Sequence, residues 1–254
     1  MEINAAFRRR LVGGERIIGT FVKTPSPAVV EILGRAGFDV LVLDAEHTAM
    51  GRETVDLCLL AARAAGIAML VRVPVASPEW IGSVLDSGAA GIMAPHVTSV
   101  ADAERIATAM RYGPGGRGFS PSVPAAGYGA RGIAGHLERA AEEAVFVCQI
   151  EDPDAAAAAS EIASVDGVDA LFVGPVDLAV ACGRTDPRDP EIAALASRVL
   201  SVAAEGHART GMFVGSMKEA AVWDRDGATL FVVGTDQAFL KAGAGAALAG
   251  PDAG

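Results

Sequence analysis

Aromatic residues and cysteines are scarce in this chain of 254 residues. Only 5% of the residues are aromatic, although 51% are hydrophobic. A core therefore has to be made from Val, Ile, Leu and Ala, as it is in parallel strands that are buried on both faces. The three cysteines, Cys58, Cys148 and Cys182, are an odd number at unrelated spacings. They predict neither a disulfide framework nor a zinc site, and we expect Cys148 to be a buried, unreactive thiol.

Positive charge is scarce as well. The formal net charge is −10, and the largest basic cluster is Arg8, Arg9 and Arg10. The phosphate backbone of a nucleic acid would be repelled by such a chain, so we expect no nucleic-acid partner. A small anionic substrate fits this charge only if local cations or a metal ion hold it.

Long apolar segments are missing too. No run reaches the roughly 20 residues that a membrane-spanning helix needs. The first ten residues contain no apolar region of the kind found in signal peptides. We therefore expect no membrane partner and a cytoplasmic location.

What the sequence does contain is a regular alternation of short apolar runs with longer helical patterns. The eight runs cover residues 17–22, 40–43, 69–73, 91–94, 145–150, 170–173, 211–214 and 230–233. Strands that alternate with helices predict a parallel sheet built from βαβ units. Eight strands in about 250 residues are typical of one closed (β/α)₈ barrel, a TIM barrel. The sequence thus predicts a single α/β domain over residues 1–254.

Two segments do not fit the simple repeat. Residues 112–129 are rich in Gly, Pro and Ser and form a long predicted loop, which in a compact domain is usually functional or disordered. The last helical pattern, residues 237–248, is rich in alanine. It could pack on its own barrel or on a neighbouring subunit.

Polar residues occur where several apolar runs end, and in such a barrel the catalytic groups lie at the carboxyl ends of the strands. Glu151 directly follows one run, and Asp177 lies four residues after the next. Their carboxylates could converge at the barrel mouth, where two carboxylates and water suit Mg²⁺ or Mn²⁺. The structural alternative is that one of them caps the following helix and the other forms an ion pair.

An arginine and a histidine accompany these carboxylates. Arg72 lies within a predicted strand, where it could bind a substrate carboxylate or pair with Glu46 or Glu151. His47 follows a strand in an acidic cluster and suits proton transfer near neutral pH. His96 is a weaker candidate for the same role.

The remaining ionisable candidates are less favoured. We read His136 and His207 as surface residues. Asp86 could supply a carboxylate partner to His47, although a surface position at a helix end is the simpler interpretation. Lys23 ends the first predicted strand, so a Schiff-base mechanism is a further alternative.

Six short motifs in this chain together resemble the HpcH/HpaI aldolase family. They are, in order, Asp44-Ala45-Glu46-His47, Val71-Arg72-Val73-Pro74, Leu85-Asp86-Ser87-Gly88-Ala89, Arg117-Gly118, Gln149-Ile150-Glu151 and Val173-Gly174-Pro175-Val176-Asp177-Leu178. The resemblance extends from residue 17 to about residue 248. It implies a carbon–carbon lyase, specifically a class II aldolase that adds the enolate of pyruvate or hydroxypyruvate to an aldehyde.

The resemblance also implies roles for individual residues. Glu151 and Asp177 would bind the divalent metal, which we expect to be Mg²⁺ or Mn²⁺, with Co²⁺ as a further candidate. The 2-oxo acid would be held by the following residues: Arg72, Gln149, Gly174, Pro175, Val176 and Asp177. His47 would be the acid/base group, and Asp86 would raise its basicity.

The same resemblance implies a homo-oligomer, commonly a hexamer arranged as a trimer of dimers, in which the last helix is exchanged between subunits. Two other functions are compatible with the same barrel face. One is a citryl-CoA-type lyase, although a CoA thioester calls for a basic surface that the sequence lacks. The other is a non-catalytic barrel that binds a 2-oxo acid.

Overall fold

Eight parallel strands close into a barrel in the computed structural model, which describes residues 2–202 and 208–249. The strands are β1 Ile17–Val22, β2 Val40–Asp44, β3 Ala68–Arg72, β4 Gly91–Ala94, β5 Val145–Ile150, β6 Ala170–Val173, β7 Arg209–Val214 and β8 Leu230–Thr235. Each strand pairs with the next, and β8 pairs in parallel with β1. The predicted TIM barrel is therefore confirmed.

Helices surround this barrel. They are α1 Glu2–Val12, α2 Pro27–Gly34, α3 Arg52–Ala65, α4 Pro78–Asp86, α5 Val100–Met110, α6 Gly132–Glu143, α7 Pro153–Ala157, α8 Ala159–Ala163, α9 Pro175–Ala181, α10 Pro190–Ser201, α11 Met217–Trp223 and α12 Asp236–Leu248. Short 3-10 turns lie at Pro124–Ala126 and Asp224–Asp226. The sequence did not predict α1 or α9. The helical pattern of residues 155–163 is divided at Ala158 into α7 and α8.

The core has two layers, because successive side chains of a strand point to opposite faces. The side chains that point inward fill the barrel, and Phe21 and Phe172 are among them. Helix α1 covers the amino-terminal end of the barrel, where Phe7 and Leu11 join this inner layer. The outward side chains pack against the surrounding helices. The interior of the barrel is therefore filled by side chains and covered by α1 at its amino-terminal end, which leaves the carboxyl-terminal end for a functional site.

A side chain adds to the sheet pairing between the first and last strands. The buried carboxylate of Asp236 accepts hydrogen bonds from the backbone N–H groups of Lys23, at 2.8 Å, and Thr24, at 2.9 Å. These bonds fix the loop after β1 against the start of α12.

Helix α12 lies on the outside of the molecule. Residues 237–249, which are the described residues after Asp236, are all exposed, including Leu240 at 63% and Leu248 at 86%. The ring of Phe239 stacks on Phe38 near the start of the helix, with a centroid distance of 6.3 Å. In the described part of the chain, no helix has both the length and the hydropathy needed to cross a bilayer.

Candidate active site

Arg72 and Asp44 form a buried ion pair at the carboxyl ends of two neighbouring strands. The register of β2 and β3 places them side by side. The guanidinium donates from Nε to Asp44 Oδ1 at 3.0 Å and from Nη2 to Oδ2 at 2.8 Å. It also lies 4.7 Å from the ring centroid of Phe21. Glu46 is a second partner of Arg72, at 3.4 Å from Nε, so the expected pairing with Glu46 is found, but Asp44 is the main partner.

Asp44 organises the loop that carries His47. Its Oδ1 accepts the backbone N–H groups of Glu46 and His47, both at 3.1 Å. The ammonium group of Lys23 lies 3.4 Å from its Oδ2. Burial alone would raise the pKa of Asp44, but the hydrogen bonds and charge of Arg72, with help from His47 N–H and Lys23, hold it below its usual value. Asp44 is therefore an anion that the surrounding donors stabilise.

The ring of His47 lies at the open mouth of the barrel. About half of the side chain is exposed, and Nε2 is 3.8 Å from Glu46 Oε2. The backbone of His47 is fixed by Asp44, whereas its ring faces solvent. This arrangement suits a group that exchanges protons with a bound substrate.

Gln149, Glu151 and Asp177 converge beside the backbone of Gly174. A Cβ atom built on Gly174 would lie 3.3 Å from Asp177 Oδ2, 3.3 Å from Gln149 Nε2 and 3.6 Å from Glu151 Oε2. The two carboxylate oxygens are therefore within about 7 Å of each other. We call this group of four residues the Gly174 cradle. Pro175 and Val176 begin helix α9 directly after it, and Val176 is 51% exposed at the mouth.

The cradle fits a divalent cation. Burial raises the pKa of Glu151, and the nearby charges of Asp177 and Glu46 act in the same direction, opposed by the N–H and ring of His96. The buried Oε1 of Gln149 has no hydrogen-bond partner. Two repelling carboxylates are oxygen ligands of the kind that Mg²⁺ and Mn²⁺ prefer, and the amide of Gln149 turns its Nε2 toward them. No group of three or more His, Cys, Asp or Glu side chains within the described residues could hold a metal, so water or substrate would complete the coordination.

His96, which the sequence ranked as the weaker histidine, contacts two carboxylates of the site. Its backbone N–H donates to Glu151 Oε1 at 2.7 Å, and its Nδ1 lies 3.0 Å from the same oxygen. Its Nε2 lies 3.1 Å from Glu46 Oε1. The only sequence signal was its position two residues after β4.

Asp86 lies elsewhere. Its carboxylate pairs with Arg117 Nη1 at 2.9 Å and with Tyr112 Oη at 3.5 Å, and its pKa is raised by burial against the opposing charge of Arg117. Among the described residues no contact joins it to His47. The expected role of Asp86 as the carboxylate partner of His47 stays a prediction.

The reading of His136 as a surface residue is wrong. Its side chain is buried, and Nε2 lies 2.9 Å from Tyr112 Oη. Burial lowers its pKa, as does the charge of Arg117. His207 lies outside the described residues. Together, Tyr112, Arg117 and His136 anchor the loop over residues 112–129.

One further expectation concerns a thiol outside the site. Cys148 is fully buried, and burial raises its pKa well above the usual value, as expected for an unreactive thiol. A cavity of about 810 Å³ lies at the amino-terminal end of the strands. Its two arginines are already paired, Arg8 with Asp169 and Arg111 with Asp166. In TIM barrels this end serves stability rather than catalysis.

The closed barrel and the charged side chains at its carboxyl mouth define a TIM-barrel protein of the enzymatic type. A sequence profile described as HpcH/HpaI aldolase/citrate lyase matches residues 17–242. The hydroxypyruvate/pyruvate aldolase of Rhizorhabdus wittichii is 35% identical over 235 residues, 91% of this chain and 92% of the relative. The 5-keto-4-deoxy-D-glucarate aldolase of Enterobacter sp. (strain 638) is 33% identical over 237 residues, 92% of each chain.

A solved structure agrees with these relatives. An HpcH/HpaI aldolase/citrate lyase family protein from Burkholderia cenocepacia J2315 superposes with a TM-score of 0.90 at 31% identity, covering 96% of this chain and 97% of that chain. The protein belongs to the HpcH/HpaI aldolase/citrate lyase family. It is an enzyme, a carbon–carbon lyase, as the sequence predicted.

Proposed function

We propose that the protein is a metal-dependent class II aldolase that joins the enolate of pyruvate or hydroxypyruvate to an aldehyde, giving a 4-hydroxy-2-oxo acid. The observation that carries the proposal is the Gly174 cradle, where the polar ends of Gln149, Glu151 and Asp177 lie within 3.6 Å of one point. Arg72 is linked to the cradle through Glu46 and His96. These contacts support a binding site for an anionic 2-oxo acid in a chain of net charge −10.

The residues of the cradle would bind both metal and substrate. Glu151 and Asp177 would hold a divalent ion, Mg²⁺ or Mn²⁺ and alternatively Co²⁺, which when bound supplies Lewis-acid polarisation of a carbonyl group. The amide of Gln149 and the backbone from Gly174 to Asp177 would position the 2-oxo acid. The absence of a side chain on Gly174 leaves room for the substrate, since a Cβ there would meet all three polar groups.

Arg72 and His47 would act on the reacting groups. His47, directly or through water, would take a proton from C3 of the 2-oxo acid, which places negative charge on the former keto oxygen. The guanidinium of Arg72, held rigid by Asp44, would stabilise that charge as it develops. C3 then attacks the aldehyde carbon, and His47, directly or through water, donates a proton to the new alkoxide oxygen.

The relatives support a donor of this kind. One relative is named for hydroxypyruvate and pyruvate and another for a keto-deoxy sugar acid. A Schiff-base mechanism would instead require Lys23, whose ammonium group pairs with Asp44 in the structure.

Exchange of deuterium into the methyl group of pyruvate tests the proposal without knowledge of the aldehyde. Protein in D₂O with Mn²⁺ or Mg²⁺ should lose the methyl signal in the NMR spectrum faster than metal alone, and EDTA should abolish the difference. Asp177→Asn, which removes one cradle charge at nearly constant size, should reduce exchange to that of metal alone. Exchange that survives EDTA would refute the class II mechanism. No exchange with pyruvate or hydroxypyruvate would direct attention to CoA thioesters, since the family description also includes citrate lyase, or to a non-catalytic 2-oxo-acid-binding role.

We further propose that the protein acts as a homo-oligomer, a hexamer built as a trimer of dimers, with α12 exchanged between subunits. Support comes from the exposed side chains of α12, among them Leu240 and Leu248. An apolar helix with no cover on one subunit is a common site of subunit contact.

A further inference from the structure

His96 has a backbone conformation that residues with a Cβ rarely adopt. Its φ is 55°, and Tyr128, with φ 54°, is the one other non-glycine residue with positive φ in the described ranges. Such conformations persist only where the surrounding structure compensates for them, and they occur frequently at functional sites. The compensation at His96 can be identified from its contacts.

Three contacts follow from this conformation. The N–H and Nδ1 of His96 both face Oε1 of Glu151, at 2.7 and 3.0 Å, while Nε2 faces Oε1 of Glu46 at 3.1 Å. Glu46 in turn contacts Arg72. One residue thus connects the predicted metal carboxylate to the predicted substrate arginine.

The contacts divide the two oxygens of Glu151 between different tasks. Oε1 is held from two directions by His96, which restricts rotation of the carboxylate about its terminal bond. Oε2 is left facing Gly174 and hydrogen-bonded to Gln149 Nε2. A ligand carboxylate that is held by a neighbour in this way presents its other oxygen in a fixed direction.

We infer that His96 is a positioning residue, which orients Glu151 for a divalent cation and connects it through Glu46 to Arg72. This inference rests on the proposed function, because it assigns Glu151 to the metal. In this role His96 acts through Glu151 and not directly on the metal or the substrate. The left-handed backbone is needed because it directs both the N–H and the ring of one residue at the same carboxylate.

The substitution His96→Gly separates the ring from the backbone. Glycine adopts positive φ without steric cost and keeps the N–H that donates to Glu151, so only the imidazole is lost. Tyr128→Gly is the matched control. It relieves the same backbone conformation in the loop over 112–129, and the Tyr128 side chain is 73% exposed. His96→Asn is the conservative variant, since asparagine tolerates positive φ and retains a side-chain donor.

The measurement is the affinity of the metal-free protein for Mn²⁺ by titration calorimetry. Loss of such a supporting contact typically weakens metal binding about 10- to 100-fold, and we expect that loss in His96→Gly. We expect no change in Tyr128→Gly and an intermediate affinity in His96→Asn. At saturating Mn²⁺ the maximal rate of pyruvate deuterium exchange in His96→Gly should fall by a smaller factor than the Mn²⁺ affinity does, since Arg72 and His47 are still present.

Several results would overturn the inference. Unchanged Mn²⁺ affinity in His96→Gly would mean that the residue only shapes the turn. Tighter binding would mean that the ring competes with the metal for Glu151. Failure of the wild type to bind Mn²⁺ would remove the metal from the proposed function and the inference with it. Normal Mn²⁺ binding without any pyruvate exchange would contradict the aldolase proposal alone, and the affinities of the variants would still decide the role of His96.

Discussion

The variant Asp44→Asn keeps the shape of the side chain at the centre of the site but removes its charge. The Oδ1 atom can still accept the N–H groups of Glu46 and His47. The other oxygen becomes an NH₂ group that faces Arg72 Nη2, which donates to it at 2.8 Å in the wild type. Donor then meets donor, and Arg72, whose side chain is only 7% exposed, loses its main counter-ion.

The size of the effect follows from burial. Removing one partner of a buried ion pair typically costs about 3–5 kcal/mol, because it leaves the other charge buried without compensation. Glu46 remains 3.4 Å from Arg72 Nε and compensates in part. We therefore expect Asp44→Asn to lower the free energy of unfolding by about 3 kcal/mol at pH 7.

The loss of stability in Asp44→Asn should become smaller as the pH falls. The pKa of Asp44 is held below its usual value in the folded state. A carboxyl group of this kind stabilises the fold at pH values above its unfolded pKa, near 3.9, and loses that contribution as pH falls through its folded pKa. The stability difference between wild type and Asp44→Asn should thus be full at pH 7 and shrink below about pH 4.

Urea unfolding at equal protein concentration, followed by circular dichroism, measures this difference. The control is Asp186→Asn. Asp186 makes a similar two-bond contact with Arg188, at 3.0 and 3.1 Å, but the pair is exposed to solvent. Exposed pairs contribute little, so the control should leave the unfolding midpoint unchanged. The reasoning fails if Asp44→Asn destabilises the protein no more than the control does.

Three further predictions follow from other contacts. His47→Ala should lower the rate of aldol turnover far more than Mn²⁺ affinity, since its ring lies outside the Gly174 cradle; equal losses, by kinetics and calorimetry, would contradict its role. Tyr112→Phe removes the hydroxyl that contacts the buried side chain of His136. The free energy of unfolding, measured in urea, should fall by about 1–3 kcal/mol, because that is the cost of leaving a buried polar group unpaired. No change would mean that water replaces the contact. Leu240→Glu places a charge on the exposed helix α12 and should lower the mass of the oligomer measured by light scattering. An unchanged mass would show that this face of α12 does not contact another subunit.

Much of the fold could be predicted from the sequence because strands buried on both faces read as continuous apolar runs. Each predicted strand lies within two residues of the observed one, as the final strand, predicted over 230–233 and observed as Leu230–Thr235, illustrates. Helix α9 was missed because it begins two residues after β6. The family resemblance assigns residues 175–177 to substrate binding, and the sequence predicts no helix there.

The site was less predictable, since it depends on register and backbone angles. Which acid meets Arg72 is decided by the pairing of β2 with β3, which puts Asp44 opposite it, and spacing along the chain does not reveal that register. The contribution of His96 depends on a positive φ that the residue type does not signal. The prediction that His136 lies on the surface was wrong because a long loop folds over α6 and covers this side chain, as its contact with Tyr112 shows.

The seam between β8 and β1 also determines when the molecule can be completed as it is synthesised. Lys23 and the side chain of Asp236 that binds its N–H are 213 positions apart. The amino-terminal part of the chain leaves the ribosome first. One edge of β1 therefore stays unpaired until β8 has emerged, which happens when almost the entire chain has been made. Exposed strand edges are sites of aggregation. The nascent protein should therefore be most prone to misassociation shortly before release, and the last strand is the one that ends this hazard.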